Sequence, residues 1–310
     1  METPSTPPAW VHITSSIIRR LPAARYRAMN WLCRRPSPPF LMKLPEESGR
    51  FLFECNLRDS ISREVCFMGR YEPQQSALLQ RLLQPGMTFV DVGANWGYFT
   101  LLAAHLVGDS GRVISLEPDP RIFRLLESNL VRNNLSHVTA LQLAAMDKNG
   151  TVNLSGYDEE RDNWGLSKVV RGAVDNSPLF PVEARQLDEV LDEQTVERVD
   201  VLKMDIEGAE RMALRGMQEG LAGQRYRSIL LEMHPSILAE HGHSTKDVLD
   251  LLLSHGYRGW WIDHSPEAIR HASYARSLDL RRFLSPLGAA SNIDDWPHSL
   301  WLLSDQALPA

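Results

Sequence analysis

Cysteine is scarce in this 310-residue chain: Cys33, Cys55 and Cys66 are the whole supply, they are scattered, and none forms a Cys-x-x-Cys pair. That excludes a zinc clip or a disulfide framework and is the usage expected of a protein kept in a reducing cytoplasm. Long apolar runs are also missing. No window approaches the roughly 18 uninterrupted apolar residues of a membrane span. Met1 to Trp10 has no basic start leading into an apolar stretch, so no secretory signal is read there. A basic surplus is missing too. The formal net charge is −6, and an acidic chain lacks the positive face that nucleic-acid phosphates require.

What is present is material for a core. Hydrophobic residues make up 43% and charged residues 23%, enough for one large domain with a small appendage. Residues 1–50 stand apart as a basic extension, with eight Lys/Arg against three Asp/Glu and prolines at Pro36, Pro38 and Pro39. Within it, Val11 to Leu32 reads as an amphipathic helix that Pro22 interrupts. Such a stretch suits a packing helix or lid, or a membrane or partner surface. Residues 51–310 read as the principal domain: a β lead-in over 51–70, a core over 71–262 and a C-terminal strand region over 263–310.

Seven apolar segments carry strand character: Met87–Val92, Arg112–Leu116, Val138–Leu143, Val199–Met204, Ser228–Met233, Tyr257–Ile262 and Ser299–Leu303. Helices alternate with them, at Tyr71–Leu83, Tyr98–Val107, from Asp119-Pro120 onward, and at Thr245–Ser254 before Gly256. Strands apolar on both faces and separated by helices predict a seven-stranded, mostly parallel sheet with helices on both faces, a Rossmann-like α/β fold. Ligands of such sheets bind beyond the carboxyl ends of the strands. Gly156 to Pro181, polar and irregular, reads as a long loop.

The first strand runs into Asp91-Val92-Gly93-Ala94-Asn95-Trp96-Gly97. Glycines let the backbone pass close to a ligand, but the dinucleotide fingerprint would need glycines where Asn95 and Tyr98 stand. A ligand with an amino-acid end fits better, held by Asp91 and neighbouring backbone groups. Glu117, 26 residues after Asp91 at the end of the second strand, can accept both hydroxyls of a ribose. Pro118 and Asp119 would flank an adenine, with Ala145 and Asp147 at its edge.

These strings carry a resemblance. Phe89 to Gly97, Leu116-Glu117-Pro118, and Leu202-Lys203-Met204-Asp205-Ile206-Glu207-Gly208-Ala209-Glu210 resemble the FkbM family of methyltransferases, as do Gly69-Arg70-Tyr71-Glu72 and Leu231-Glu232-Met233-His234. The similarity spans Phe51 to Ile262, and the Lys-x-Asp-x-Glu-Gly block is its most specific piece. It implies a class I methyltransferase fold, S-adenosylmethionine as methyl donor, and O-methylation of a sugar or secondary metabolite. Glu72, Phe99 and Asp205 join Asp91, Gly93, Asn95, Gly97, Glu117, Pro118, Asp119, Ala145 and Asp147 in the cofactor set so implied.

An alcohol needs a general base before it can attack, whereas a carboxylate acceptor needs none. Lys203, Asp205 and Glu207 alternate at the end of the fourth strand, and Glu232 and His234 do so at the end of the fifth, so both sets can face one pocket. His234 has the intrinsic pKa of a base near neutrality. Asp205 is a second candidate base or an orienting group, and Lys203 stabilises an alkoxide or pairs with Glu232, while Glu207 can instead cap the helix near Gly208. Asp205, Glu232 and His234 can also hold a divalent metal, the less favoured arrangement. His105, His241, His243 and His255 fall on helices or loops and read as structural or solvated. Asn163 and Trp164 in the long loop offer an amide and a stacking face to the acceptor, whereas Trp260, Trp261, Trp296 and Trp301 read as packing. Expected partners are a small molecule or glycan, with a homodimer allowed. Weighed against O-methylation of a hydroxyl are a carboxylate O-methyltransferase, a nucleotide-dependent oxidoreductase and a non-enzymatic adenosine-binding protein. A nucleic-acid methyltransferase is disfavoured, since the Asp-Ile-Glu-Gly segment lacks the Asn/Asp-Pro-Pro-aromatic motif.

Overall fold

In the computed structural model, which describes residues 6–21, 23–35, 37–155, 168–170, 179–275, 278–287 and 298–308, the apolar segments of the sequence become neighbouring strands. The chain enters through α1 (Ala9–Ile18) and α2 (Arg25–Leu32), two helices rather than one because a proline at position 22 brings no N–H to a helix. A hairpin of β1 (Phe40–Lys43) and β2 (Leu52–Cys55) pairs antiparallel, Phe40 opposite Cys55 and Lys43 opposite Leu52. Next come α3 (Ser60–Met68) and α4 (Pro73–Leu82). The β lead-in expected over Phe51 to Gly69 is therefore half helix. Asp59 caps α3 by accepting from the Ser62 N–H at 2.8 Å, and Ile61, Val65 and Met68 give that helix a buried face.

The central part runs β3 (Thr88–Val92), α5 (Tyr98–Val107), β4 (Arg112–Leu116), α6 (Pro120–Arg132) and β5 (Val138–Leu141). After it come β6 (Ala144–Ala145), β7 (Gly150–Ser155), β8 (Lys168–Val170), β9 (Leu179–Arg185), α7 (Leu187–Glu193) and β10 (Val199–Met204). Then follow α8 (Glu210–Arg215), α9 (Gln218–Ala222), β11 (Tyr226–Glu232), α10 (Pro235–Glu240) and α11 (Thr245–Ser254). The described chain ends with β12 (Tyr257–Ile262), α12 (Pro266–Tyr274), β13 (Leu284–Pro286) and β14 (His298–Leu303).

The main sheet has eight strands, ordered β13-β12-β14-β11-β10-β3-β4-β5, rather than seven. The added strand, β13, is three residues ending in a proline at the sheet edge, too short to show a period-2 pattern. From β11 to β5 every pairing is parallel, while β14 pairs antiparallel with both β11 and β12. The chain winds outward from β3 through β4 to β5, then crosses to β10 on the other side of β3. The switch point, where such sheets bind ligands, therefore lies between Val92 and Met204.

Alternation along the strands divides two cores. Phe89, Val113 and Val201 pack on one face with Leu101, Leu102 and the buried residues of α1 and α2; Val90, Ile114 and Leu202 pack on the other with Ile229 and Leu249. Truncating the fully buried Leu102 to alanine is expected to cost roughly 2–5 kcal/mol. The segment expected as one loop over Gly156 to Pro181 contributes β8 and the start of β9 to a second sheet of order β6-β9-β7-β8. Among the described residues of its strands, Ala144, Leu154, Val169, Val182 and Ala184 turn inward, with Val152 half-buried beside them, and their polar neighbours hid the alternation. Among the described residues no helix is long and apolar enough to cross a membrane.

Candidate active site

At the carboxyl end of β3 the backbone turns through three left-handed residues, Gly93 (φ +84°), Asn95 (φ +53°) and Gly97 (φ +89°). A Cβ at Gly93 would collide with the carbonyl oxygen of Asp205, so the turn can cross the end of β10 only as glycine. Asn95 is among the few other residues that adopt this conformation readily. Its N–H donates to Glu117 Oε2 at 3.0 Å, and the Asp119 N–H donates to Glu117 Oε1 at 2.9 Å. Burial pushes the Glu117 carboxyl up to about 8 despite those two bonds. Each oxygen keeps a lone pair for a further donor.

At the end of β10 the buried Lys203 lies over the Phe99 ring, 4.8 Å from its centroid, and its Nζ is 3.4 Å from Asp205 Oδ2. Burial pulls this ammonium down, but Asp205, Glu72, Asp91 and Glu232 outweigh it and the net displacement is upward. The expected Lys203 partner, Glu232, therefore contributes only through the field; the direct pair is with Asp205. Burial lifts the Glu232 carboxyl well above its ordinary range, and Asp205 and Glu72 add repulsion.

His234 follows β11 as the N-cap residue of α10. Its Nδ1 lies 2.8 Å from Glu210 Oε1, while Nε2 is 3.4 Å from Glu207, 3.8 Å from Glu232 and 4.0 Å from Asp205. Burial opposes a charge on the ring, but the Glu210 hydrogen bond and the surrounding carboxylates win and raise it to about 9. Glu210 is fully buried and also accepts the Gly208 N–H at 2.9 Å. The helix cap expected from Glu207 is not formed: the N-cap of α8 is Ala209, which supplies no side-chain cap, and Glu207, left-handed at φ +49°, has its carboxylate 3.4 Å from the imidazole.

These elements enclose a cavity of about 280 Å³. Its wall brings together Gly93, Asn95, Phe99, Glu117, Pro118 and Ala145 with Lys203, Asp205, Glu207, Glu232 and His234. Five residues expected at the cofactor are not on that wall. Asp91 lies behind it, accepting from Thr100 Oγ1 at 2.7 Å, and burial raises its pKa. Gly97 packs on Leu126, and Glu72 is buried behind Lys203, its carboxyl raised by that burial to about 7. Asp119 caps α6, accepting from the Arg121 N–H at 2.9 Å and pairing with its guanidinium at 2.8 Å. Asp147 follows β6 and is half-buried, its carbonyl bound by Gln186. Asn163 and Trp164 lie outside the described residues.

Sequence reasoning missed two site partners. Glu210 looked like an ordinary helix residue, although its place three residues after Glu207 was a signal. His298, on β14, is buried 3.3 Å from Glu232 Oε2 and 2.9 Å from the Gln75 amide. Burial pushes His298 well below its ordinary pKa. No local pattern marked it, since its role depends on the antiparallel insertion of β14. A second arrangement is chemically open at the base: one ligand atom each of Asp205, Glu207 and His234 fall within 4.8 Å of one another, a set a divalent cation could use instead of a proton.

Residues 91–258, more than half of the chain, match the family model described as the methyltransferase FkbM domain. Similarity to individual proteins is lower. Over 225 residues the chain is 28% identical to the 2-O-methyltransferase NoeI of Sinorhizobium fredii, covering 67% of this chain and 90% of that protein. It is 25% identical to the 31-O-demethyl-FK506 methyltransferase FkbM of Streptomyces tacrolimicus, covering 56% of this chain and 74% of that one. The AMB antimetabolite synthetase AmbE of Pseudomonas aeruginosa is 28% identical over 57% of this chain, which spans only 10% of that protein. Of solved structures, the methyltransferase FkbM from Methylobacillus flagellatus is similar with a TM-score of 0.41 and 16% identity, covering 89% of this chain and 58% of that one.

Proposed function

The chain belongs to the FkbM family of S-adenosylmethionine-dependent methyltransferases, and from that premise we propose that it methylates a hydroxyl oxygen of a sugar or secondary metabolite. The oxidoreductase and non-enzymatic alternatives fall with the family match. The observation that carries the oxygen assignment is the imidazole of His234, oriented by buried Glu210 and open to the cavity through Nε2.

The glycine turn fits the donor. Gly93 leaves room where a Cβ would fill the turn, and Glu117 offers a buried carboxylate for two ribose hydroxyls. Phe99, Pro118 and Ala145 give apolar walls for an adenine or a methionine chain. S-adenosylmethionine supplies a methyl group on a positively charged sulfur, which the cavity carboxylates favour electrostatically.

At the other end, the hydroxyl proton of the acceptor passes to His234 Nε2 while Nδ1–H stays on Glu210 Oε1. With its pKa raised to about 9, the imidazole is mostly protonated at pH 7, and its neutral minority is the stronger proton acceptor for that rise. Lys203 lies close enough to the carboxylates to balance their charge. The names of two relatives, a 2-O-methyltransferase and a 31-O-demethyl-FK506 methyltransferase, support oxygen as the acceptor atom.

Methyl-labelled S-adenosylmethionine and a panel of glycosides and hydroxylated metabolites test the assignment. The expected product keeps its label through mild alkaline hydrolysis, as an ether does. A label released by base is an ester and replaces the hydroxyl acceptor with a carboxylate. A cation at Asp205, Glu207 and His234 is the second reading, carried by their spacing; loss of turnover on dialysis against EDTA, restored by magnesium, would select it.

A further inference from the structure

The basic N-terminal extension is folded but not consumed by folding. On α1, Val11 and Ile18 are buried, whereas Ile13 and Ile17, on the opposite side one turn apart, are 57% and 54% exposed. Trp10, three residues before Ile13, is half-buried and packs against the core at the edge of this stripe. On α2, Met29 and Leu32 are buried and Trp31 is 61% exposed. The Arg35 guanidinium lies over both the Trp10 and the Trp31 rings, at 5.9 and 5.3 Å, and so joins the two helices into one outer face.

Charge is divided in the same way. Arg19 and Arg25 point inward and hold the structure together. Arg19 donates to the Val65 and Cys66 carbonyls at the end of α3, and Arg25 to the Ser273 carbonyl. Arg20, Arg27, Arg34 and Arg35 are exposed around the apolar stripe. No acidic residue lies between Glu2 and Glu46, in a chain whose net charge is −6.

We propose that this face of α1 and α2 docks the enzyme on an anionic lipid bilayer. Exposed Ile13, Ile17 and Trp31 beside exposed arginines combine the two signals that surface binding needs: apolar insertion and attraction to acidic headgroups. Trp31 suits the headgroup boundary, and arginines beside it can reach the phosphates. The acidic remainder of the protein is repelled by such a surface, so the contact is confined to this face. The face also connects to the active site. The α3 helix, whose end Arg19 holds, places Ile61 of its first turn on the cavity wall.

Sedimentation of the full-length protein with vesicles of phosphatidylcholine, with and without phosphatidylglycerol, tests the proposal. The wild type is expected to bind the anionic vesicles, not the neutral ones, and to detach at about 0.5 M salt, where screening is strong. Ile13→Ser/Ile17→Ser/Trp31→Ser should reduce the bound fraction roughly tenfold or more. Arg20→Glu/Arg27→Glu/Arg34→Glu should abolish the preference for anionic lipid. Unchanged affinity for S-adenosylhomocysteine would show that both variants remain folded. The proposal is overturned if the wild type stays in the supernatant, or if the serine variant binds as well as the wild type. It is also overturned if the serine substitutions only convert a dimer to a monomer, which would make the face a contact between two copies.

Discussion

The two ends of the cavity are built from different materials. The end proposed for the donor is mostly backbone: a glycine turn at β3, amide N–H groups fixed on Glu117, and apolar walls. The end proposed for the acceptor is almost entirely ionisable side chains, with Lys203, Asp205, Glu207, Glu232 and His234 facing one another. Backbone gives a rigid shape that one cofactor fits in every turnover. Side chains give a field that can hold or release a proton. The difference predicts that damage to one end is felt in binding and damage to the other in turnover.

The sharpest expected separation is His234→Ala, which should lower turnover about 10²–10⁴-fold, the usual worth of a positioned base. Steady-state kinetics at saturating donor would check this, and near-normal turnover would remove His234 as the base. Gly93→Ala comes next. A methyl group there meets the Asp205 carbonyl at a left-handed φ, so calorimetry should find no donor-site binding and a lowered melting midpoint. Glu117→Ala removes the carboxylate proposed to hold the ribose and should weaken S-adenosylhomocysteine binding by about 1.5–3 kcal/mol. Turnover at saturating donor should change little.

Two smaller effects depend on pH. Glu117 has a carboxyl raised to about 8, so donor affinity should increase as pH rises through 8 and the carboxylate becomes available. Ligand-free stability runs the other way. A carboxyl raised from 4.5 in the folded state contributes its stability below that pH and loses it as pH rises through about 8. Opposite slopes for binding and for apo melting would support the assignment; parallel slopes would contradict it. For turnover, the rate should rise through about pH 9. In Glu210→Gln that limb should move to lower pH, because the bond that raises His234 is weakened. An unmoved limb would show that Glu210 does not act through the imidazole.

Much of the donor end could be read from the sequence because its cues are local. Asp91 to Gly97 announces a strand, a turn and a helix within seven residues, and Glu117 follows at the next strand end. The same locality misled at Asp119, where cap and ligand roles compete for one carboxylate and the N–H of α6 lies nearer. At the acceptor end, strand alternation was enough to gather Lys203, Asp205, Glu232 and His234. It was not enough for Glu210, whose contact depends on the left-handed turn at Glu207, or for His298, which arrives on a strand far away in the chain. The second sheet stayed hidden because a few inward side chains are a weak signal among polar neighbours.

Calorimetric titration of S-adenosylhomocysteine into the wild type, Glu117→Ala and His234→Ala tests the division between the two ends most directly. The account predicts tight binding to the wild type, equal binding to His234→Ala, and binding weakened by about 1.5–3 kcal/mol in Glu117→Ala. Equal weakening in both variants, or no binding to the wild type, would contradict it.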